Sequence, residues 1–386
     1  MSARGRVLAV NGGIAIVRSE RGEVHVAAQP GWRAGDLIDD LAVVRAYDAG
    51  DYPEPTTEVA RMPRPRIEAL HARAKALAAL RAFFSAREFV EVETPLLVGS
   101  PGLEIHLDAV TAGGGYLITS PEYQMKRLLA GGFERIYQVC RCFRAGEEGP
   151  HHSSEFTMVE WYRAYADLDA IIKDTEALVH TVVRAVSGSS AVKIGGRSID
   201  VTPPWPRMSV REAMRRWAGI ELAGDESAAE LVAKVRIAGV GVADDTAWDD
   251  AFFAAFLAKV EPAIAAFEQP LILEDWPAPL AALAKRKPTD PLTALRFEAY
   301  VAGIELANAF GELTDPVEQR ARFVDDQRIR RDRSREVYPI DEKLLAALAE
   351  GLPPSAGIAL GFDRLVMLAT GSDSIAQVLA FTAAEL

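Results

Sequence analysis

The sequence predicts an α+β fold, and three observations carry that prediction. Two stretches, 133–165 and 296–312, each read as two strands joined by a loop, which is typical of antiparallel pairs. Amphipathic or charged helical patterns lie before, between and after them. Residues 4 to about 47 alternate between apolar and polar residues, with glycines between the runs. We therefore expect a sheet flanked by helices, preceded by a separate small β unit.

Length and composition fit one large domain plus a small one. The chain has 386 residues, of which 49% are hydrophobic and 25% are charged, and its two cysteines stand too close along one strand to bridge easily. The net charge of −12 argues against a protein whose main task is to grip a nucleic-acid backbone. No apolar run reaches membrane-spanning length, and the N-terminus lacks a secretion signal. We expect a cytoplasmic protein with no membrane partner.

The chain is predicted to have three parts. Residues 1–50 contain about four strand-like runs and form the small β unit. Residues 51–65 carry four prolines and are predicted to be an extended linker. Residues 66–386 form the main domain. The β unit shows no aromatic stripe or basic face, which favours a protein-contacting or structural role over nucleic-acid binding.

The first elements of the main domain follow from local patterns. An amphipathic helix over about 67–87 leads into a strand, VEVETPLL. A short strand, YLITS, precedes a helix that we expect Ser120 to cap, with Pro121 at its first position. That helix is expected to end at a glycine pair. Residues 166–290 are mainly helical and show no catalytic signature, and PLILEDWP returns to the sheet as a strand.

The paired strands of 133–165 carry chemical groups on one face. Strand alternation places four residues on the same side: Phe156, Met158, Glu160 and Tyr162. A glutamate and a tyrosine among large apolar residues favour a pocket for a cation, although a glutamate on a solvated face gives the same pattern. The loop between the strands begins at Arg144 and nearly ends at His152, which is compatible with phosphate binding.

The hairpin of 296–312 carries three glutamates spaced seven residues apart: Glu298, Glu305 and Glu312. A two-residue turn, Ala302-Gly303, pairs Val301 with Ile304, Tyr300 with Glu305, and Glu298 with Ala307. Glu298 and Glu305 then become diagonal neighbours roughly 7–8 Å apart on one face. Two carboxylates at that distance favour a bound cation, and Mg²⁺ with a phosphate fits. A solvated hairpin face is the alternative.

The C-terminal stretch GIALGFDRLVML is predicted to be a strand followed by a helix. Small residues leave one strand face nearly bare, so that a flat ring can lie against it: Gly357, Ala359 and Gly361. Asp363 is expected to cap the helix, which places Arg364 at the positive helix end, where a phosphate or an adenine binds well. Upstream, Asp315 is expected to begin a long charged helix.

Three segments together resemble the class II aminoacyl-tRNA synthetases. The helix and strand up to Pro95 resemble motif 1 of that family, FERIYQVCRCFR through EFTMVEWY resembles motif 2, and GIALGFDR resembles motif 3. SPEYQMKRLL, EFTMVEWYR and GIELANAFGELTD are similar to the lysyl branch. EWYR, GIELAN, DRLVMLATG and the ending VLAFTAAEL look like its truncated paralogues, the elongation factor P–lysine ligases. The resemblance covers about residues 66–386.

The resemblance implies a six-stranded antiparallel sheet flanked by helices, and a homodimer through motif 1. It also implies that ATP and Mg²⁺ convert lysine or (R)-β-lysine to an acyl-adenylate, whose acyl group passes to a lysine of elongation factor P. A tRNA acceptor is not expected, because the chain is acidic and its first fifty or so residues are shorter than an anticodon-binding barrel. Two alternatives stay open: a lysine-activating enzyme with another acceptor (tRNA, lipid or free amine), and a non-catalytic binding module.

The same resemblance assigns roles to individual residues, with Arg144 and Arg364 expected to be catalytic. The residues expected to contact ATP are Arg144, Glu147, His152, Phe156, Glu298, Glu305 and Arg364, of which Glu298 and Glu305 hold Mg²⁺. The residues expected to contact the lysine substrate are Ser120, Glu122, Glu160, Tyr162, Asn308, Phe310, Glu312 and Ala359.

The sequence departs from the family pattern in several places. Ala359 stands where lysyl synthetases usually have glycine, which indicates an adjustment to (R)-β-lysine. Gly146 stands at the usual glutamate of motif 2, and Glu147 follows one residue later. The loop reads PHHSS where Arg-x-His-Asn-Pro is usual, and Ala309 replaces a glycine. The N-terminal β unit is not part of the usual paralogue.

Overall fold

The structure, a computed structural model, describes residues 4–19, 22–46 and 64–385. The predicted linker, 51–65, lies outside the described residues except for its last two positions. The chain divides into two compact units, Met1–His71 and Ala72–Leu386, so the division falls inside the first helix.

The N-terminal unit contains a five-stranded antiparallel sheet with the order β3-β2-β1-β4-β5. The strands are β1 (Gly5–Asn11), β2 (Ile14–Ser19), β3 (Gly22–Ala27), β4 (Leu37–Asp39) and β5 (Ala42–Arg45). The prediction of about four strands misses β4, which lies just before the last predicted run, DLAVVRAY. There Asp40 and Leu41 adopt positive φ and turn the chain back on itself. A small apolar core fills the unit: Val7, Ala15, Val17, Trp32 and Ile38.

The second unit contains the remaining strands and most of the helices. Its strands are β6 (Val90–Glu91), β7 (Leu97–Val98), β8 (Thr111–Ala112), β9 (Gly115–Leu117), β10 (Arg135–Phe143), β11 (Glu155–Ala164), β12 (Ala191–Ile194), β13 (Arg197–Asp200), β14 (Arg207–Ser209), β15 (Leu271–Pro277), β16 (Arg286–Lys287), β17 (Asp290–Val301), β18 (Ile304–Gly311) and β19 (Ser355–Gly361). The α-helices, the first of which begins in the other unit, are α1 (Arg64–Ser85), α2 (Glu122–Ala130), α3 (Leu168–Ser187), α4 (Val210–Ala213), α5 (Ala228–Ile237), α6 (Trp248–Ala255), α7 (Glu261–Ala266), α8 (Pro316–Asp332), α9 (Glu342–Gly351) and α10 (Phe362–Thr370). Within the described part of the chain, no helix is both long and apolar enough to span a lipid bilayer.

The predicted six-stranded antiparallel sheet is confirmed. Strands β15, β17, β18, β19, β11 and β10 pair in that order, each antiparallel to its neighbour. Short strands extend it, with β14 and β6 parallel at the two edges and β16 beside β17. The predicted strand VEVETPLL is wrong in length, since only β6 pairs with β10. The side chain of Gln138 accepts from the backbone N–H of Thr94 at 3.0 Å, in place of a ladder bond.

The glutamate hairpin forms as predicted near its turn and departs from the prediction further away. Ala302 and Gly303 have φ of 56° and 81°, and Tyr300 pairs with Glu305. Glu298, however, pairs with Asn308 and not with Ala307. A β-bulge in β18 inserts Leu306 as an extra residue, which reverses the alternation beyond it.

Three predictions about helix starts are tested by the structure. Asp315 caps α8 as predicted, accepting from the N–H groups of Val317 and Glu318. Ser120 is not the N-cap of α2, because Pro121 occupies that position, although the Ser120 hydroxyl still accepts from the Glu122 N–H at 3.1 Å. Asp363 is not the cap of α10 either, because it lies in the first turn and its carboxylate is used by other elements.

Candidate active site

One cavity lies over the face formed by β10, β11, β18 and β19, and it collects most of the predicted site residues. Those that line it are Ser120, Glu122, Arg144, Glu147, His152, Phe156, Glu305, Asn308, Phe310, Ala359 and Arg364. Four further predicted residues are buried and do not line the cavity, although Glu160 is hydrogen-bonded to Ser120 on its wall: Glu160, Tyr162, Glu298 and Glu312. The β18 bulge explains this arrangement, since it turns Asn308 and Phe310 to the same side as Glu305.

The closed end of the cavity is organised by Lys126, which the sequence analysis did not single out. Its Nζ lies 2.6 Å from Oε1 of Glu122 and 2.6 Å from Oε2 of Glu312. The Lys126 side chain is only 2% exposed. Burial lowers the pKa of its ammonium group, but the two carboxylates outweigh burial and raise that pKa above its ordinary value. The available signal was the spacing of four residues from Glu122, which places both side chains on one face of α2.

Glu160 occupies the same end of the cavity and is already hydrogen-bonded. The Ser120 hydroxyl donates to its Oε1 at 2.5 Å, and the Tyr162 hydroxyl donates to its Oε2 at 2.9 Å. Burial, and after it the charge of Glu122, raise the pKa of Glu160 well above its usual range. Burial also raises the pKa of Glu312 to about 7, against the opposing effect of Lys126. A cation bound here would therefore stabilise the charged form of these two carboxyl groups.

The bare face predicted for β19 is not bare along its whole length. A Cβ on Gly357 would stand 2.2 Å from the Tyr162 ring and 2.7 Å from Oε1 of Glu312. The space above Gly357 is thus filled by these two side chains, and a flat ring cannot lie there. The open part of the strand begins at Ala359, which pairs with Glu160 on one side and Asn308 on the other.

The open end of the cavity carries the predicted phosphate-binding residues. The Arg144 guanidinium lies 5.1 Å from the ring centre of Phe156 and 3.8 Å from the Glu147 carboxylate. Arg364 donates to the backbone oxygen of Glu305 at 2.7 Å, and its Nη2 lies 2.8 Å from Nε2 of His152. Burial, and then the charge of Arg364, lower the pKa of His152, so the imidazole is favoured as the neutral acceptor in this contact. Two guanidinium groups therefore face one open space.

The carboxylates predicted to hold Mg²⁺ differ in how free they are. Glu298 is buried and accepts from Arg296 at 2.7 Å and from the Tyr300 hydroxyl at 2.5 Å. Burial, and then the charge of Glu305, raise the pKa of Glu298 to about 7. Glu305 is 43% exposed and reaches only Arg364, at 4.0 Å. Among the described residues, no group of three His, Cys, Asp or Glu side chains converges as a metal site would require.

These residues nevertheless fit a Mg²⁺ ion that arrives with a nucleotide. Such an ion usually keeps several waters and uses one or two carboxylates together with phosphate oxygens. Glu305 offers an accessible carboxylate on the cavity wall, and the Oδ1 atom of Asn308 is buried there with no hydrogen-bond partner among the described residues. A buried oxygen without a partner is costly unless a ligand completes it.

A guanidinium on α1 ties the two sides of the open end together. Arg73 pairs with Asp363 and donates to the Thr157 hydroxyl at 2.7 Å, and Asp363 in turn accepts from the Thr157 N–H at 2.7 Å. Thr157 follows Phe156 and Asp363 precedes Arg364, so the network fixes both walls of the cavity mouth. Arg73 was missed because its partners lie far away along the chain.

Comparisons with known proteins agree with this geometry. A family model described as class II tRNA synthetases (D, K and N) matches residues 58–385. A lysine–tRNA ligase of Dehalococcoides mccartyi is 40% identical over 317 residues, which are 81% of this chain and 63% of that protein. An elongation factor P–(R)-β-lysine ligase of Klebsiella pneumoniae is 40% identical over 332 residues, 83% of this chain and 96% of that protein. The chain therefore spans less than two thirds of the length of the lysine–tRNA ligases that it matches.

Proposed function

The chain belongs to the class II tRNA synthetases, and we propose that it activates lysine or (R)-β-lysine with ATP and transfers the acyl group to a lysine side chain of elongation factor P. The observation that carries this proposal is the charge of the closed end. Glu122 and Glu312 flank the ammonium group of Lys126, and Glu160 is buried near Glu122. Three carboxyl groups there share one ammonium group, and burial raises the pKa of Glu160 and of Glu312, so the charged form of both depends on further ammonium groups.

Lysine and β-lysine each carry two ammonium groups, and one such molecule supplies both. An amino acid with a single ammonium group would leave one buried carboxylate without a partner, which costs binding free energy. Each charge-assisted hydrogen bond contributes about 1.5–3 kcal/mol, so selection for a diamine by this end is expected to be strong.

The open end supplies what adenylate formation requires. The substrate carboxylate attacks the α-phosphorus of ATP, an acyl-adenylate forms, and pyrophosphate leaves. Arg144 holds the α-phosphate and stabilises the charge that develops on it, while Phe156 and Arg364 hold the adenine between them. Mg²⁺, held by Glu305 and Glu298, would neutralise charge on the ATP phosphates.

Transfer needs no nucleophile from this chain. The uncharged amine of the acceptor lysine attacks the carbonyl carbon of the adenylate, an amide bond forms, AMP leaves, and the amine gives up a proton. Support for elongation factor P as the acceptor comes from the relatives that carry this name, which the chain matches over 96% of their length. Because this acceptor works with the ribosome, we place the reaction in the cytoplasm, without a membrane.

We also infer a homodimer formed through motif 1. Three large apolar side chains in or directly after that segment are exposed: Val90, Leu96 and Leu97. Exposed apolar groups concentrated in one segment favour burial against a partner. Leu97→Asp is expected to convert the dimer to a monomer in size-exclusion chromatography with light scattering, whereas Leu257→Asp, at an exposed leucine outside motif 1, is the matched control. A wild-type chain that runs as a monomer would overturn the inference.

The first test of the function is ATP–pyrophosphate exchange with purified protein and Mg²⁺. Lysine, (R)-β-lysine and arginine are offered separately. Exchange with either lysine isomer and none with arginine supports the proposal. No exchange with any of the three contradicts it and favours a non-catalytic binding module.

The acceptor is tested separately with radiolabelled substrate. Label is expected to appear on elongation factor P and to be lost when its acceptor lysine is replaced by arginine. A lysine–tRNA ligase is as similar to this chain as the elongation factor ligases are, so tRNA is the alternative acceptor. Label on tRNA and none on the protein would replace the proposed acceptor while leaving the activation step intact.

A further inference from the structure

The buried ion triad of Glu122, Lys126 and Glu312 lies beneath the cavity and needs an explanation of its own. Both N–O distances are 2.6 Å, and all three groups are almost fully buried. Ion pairs at this depth add little net stability, because removing charges from water offsets their attraction. A lysine bridging two carboxylates of a binding pocket therefore calls for a functional explanation.

The triad joins two elements that contribute to different parts of the pocket. Glu122 and Lys126 are one turn apart on α2, whereas Glu312 follows β18 on the central sheet. The ammonium group of Lys126 fixes the separation of the two carboxylates and supplies a positive charge to both. Each carboxylate keeps an oxygen that Lys126 does not contact, namely Oε2 of Glu122 and Oε1 of Glu312. Glu122 lines the cavity, and Oε1 of Glu312 is buried without a hydrogen-bond partner among the described residues.

The charged groups that face Glu312 come from several elements. From α2 they are Lys126 and Glu122, and from β11 they are Tyr162 and Glu160. Lys285, which precedes β16, acts on Glu312 from further away and lowers its pKa. Glu122 raises the pKa of Glu312 and Lys126 lowers it, so the two α2 residues have opposite effects on the same carboxylate. These opposite signs provide a test.

We propose that Lys126 is a positioning residue for the diamine substrate: by contacting both carboxylates it holds Glu122 and Glu312 where each can meet one substrate ammonium group. The proposal rests on the proposed function, because it assumes that a diamine binds at the closed end. Lys126 itself does not touch the reacting carboxylate or ATP. Its loss should therefore act on the KM for the amino acid and leave ATP binding intact.

The test is the pH dependence of KM in ATP–pyrophosphate exchange, measured with lysine and (R)-β-lysine from pH 6 to 9. Lys126→Met preserves the length of the side chain and removes its charge. We expect KM at pH 7 to rise about 10- to 100-fold, as for loss of a charge-assisted hydrogen bond. Because Glu312 then holds its proton to higher pH, KM should fall as pH rises, and the midpoint of that fall should move upward by about one unit or more relative to wild type.

The opposite variant sharpens the test. Glu122→Gln removes the carboxylate that raises the pKa of Glu312, so the midpoint should move downward even though KM rises. Lys126→Arg keeps the charge and should keep the wild-type midpoint. Lys173→Met, at an exposed lysine of α3, is the matched control and should change nothing. A merely structural role for Lys126 gives no shift of the midpoint in either direction.

The outcomes separate this inference from the proposed function. Wild-type protein that shows no exchange with either lysine isomer defeats the function. If the wild type is active but Lys126→Met and Glu122→Gln both keep the wild-type pH midpoint of KM, the inference about Lys126 is wrong and the proposed function still stands. Calorimetric titration with ATP shows whether Lys126→Met is folded. If that variant does not fold, the downward shift in Glu122→Gln and the unchanged midpoint in Lys126→Arg still support the inference, and their absence overturns it.

Discussion

The two ends of the cavity are built in opposite ways. At the closed end, Lys126 and Glu160 already hold ion-pair or hydrogen-bond partners at distances of 2.5–2.9 Å. At the open end, Glu305 is 43% exposed, the Asn308 Oδ1 has no partner in the described part of the chain, and the nearest contact of Arg144 to a carboxylate is 3.8 Å long. One end is preorganised and the other is completed by what binds.

This difference assigns separate tasks to the two ends. A preorganised buried site selects its ligand, because a poor ligand leaves buried charges unmatched. An open site with two guanidinium groups gains most of its order from the nucleotide and uses it when charge develops in the transition state. Substitutions at the closed end should therefore change the KM for the amino acid, and substitutions at the open end should change kcat.

The largest effect is expected for Arg144→Ala. Loss of the guanidinium on the α-phosphate should reduce kcat for pyrophosphate exchange about 10²–10³-fold, the range measured for removing one transition-state hydrogen-bond donor. Glu147→Ala should reduce it less, because that glutamate stands one position away from the usual one. Single-turnover adenylate formation measures both. Equal losses would mean that Glu147 has taken over the role of the family glutamate.

A second effect, about 10²-fold in kcat/KM for the lysine substrates, is expected for Glu160→Gln. The change removes a carboxylate that accepts from both Ser120 and Tyr162, and an amide nitrogen cannot accept. Ser120→Ala is the milder companion, with about a tenfold loss, because it removes one donor and no charge. Steady-state exchange gives both values. If Glu160→Gln lowered kcat and left KM unchanged, the proposal that the closed end determines KM and the open end determines kcat would be wrong.

The carboxylates at the open end should differ from each other. Glu305→Gln is expected to raise the Mg²⁺ concentration for half-maximal exchange about tenfold, because this side chain is exposed to the cavity. Glu298→Gln should raise it only a few-fold, because Arg296 and Tyr300 already occupy its oxygens. A Mg²⁺ titration of the exchange rate compares them. The reverse order would mean that Glu298 leaves Arg296 when the nucleotide binds.

A change in isomer preference is expected for Ala359→Gly. Ala359 lies between Glu160 and Asn308 in the sheet and lines the cavity, so its methyl group would border the proposed substrate. Removing one methyl group is worth about 1–3 kcal/mol at most in such a pocket, and we expect the ratio of kcat/KM for (R)-β-lysine to that for lysine to fall by about tenfold. Exchange with both isomers measures the ratio. An unchanged ratio would mean that Ala359 does not determine the preference between lysine and (R)-β-lysine.

The sequence predicted the fold and the location of the cavity well because local signals and family motifs agree there. The antiparallel sheet, the Ala302-Gly303 turn and the Asp315 cap each depend on residues close together in the chain. The predicted face of β11 is confirmed by the bond between Tyr162 and Glu160.

The remaining features depend on partners that are distant in the chain. Asp363 looks like a helix cap from its neighbours alone, yet it serves Arg73 and Thr157. Lys126 looks like an exposed helix lysine until Glu312 is brought against it. The glycines of β19 suggest open space, but Tyr162 fills part of it from another strand. In each case a tertiary contact decides the role of the residue, and the local sequence does not reveal that contact.

The bulge at Leu306 makes the length of β18 as important as its composition. An insertion or deletion of one residue exchanges the faces of a strand beyond that point. Loss of a single residue here would therefore direct Asn308, Phe310 and Glu312 away from the cavity while every one of them remained in the chain. Among related proteins that have diverged in sequence, we expect position 306 to stay apolar, because Leu306 is buried, and gaps at this position to be absent wherever the enzyme is active.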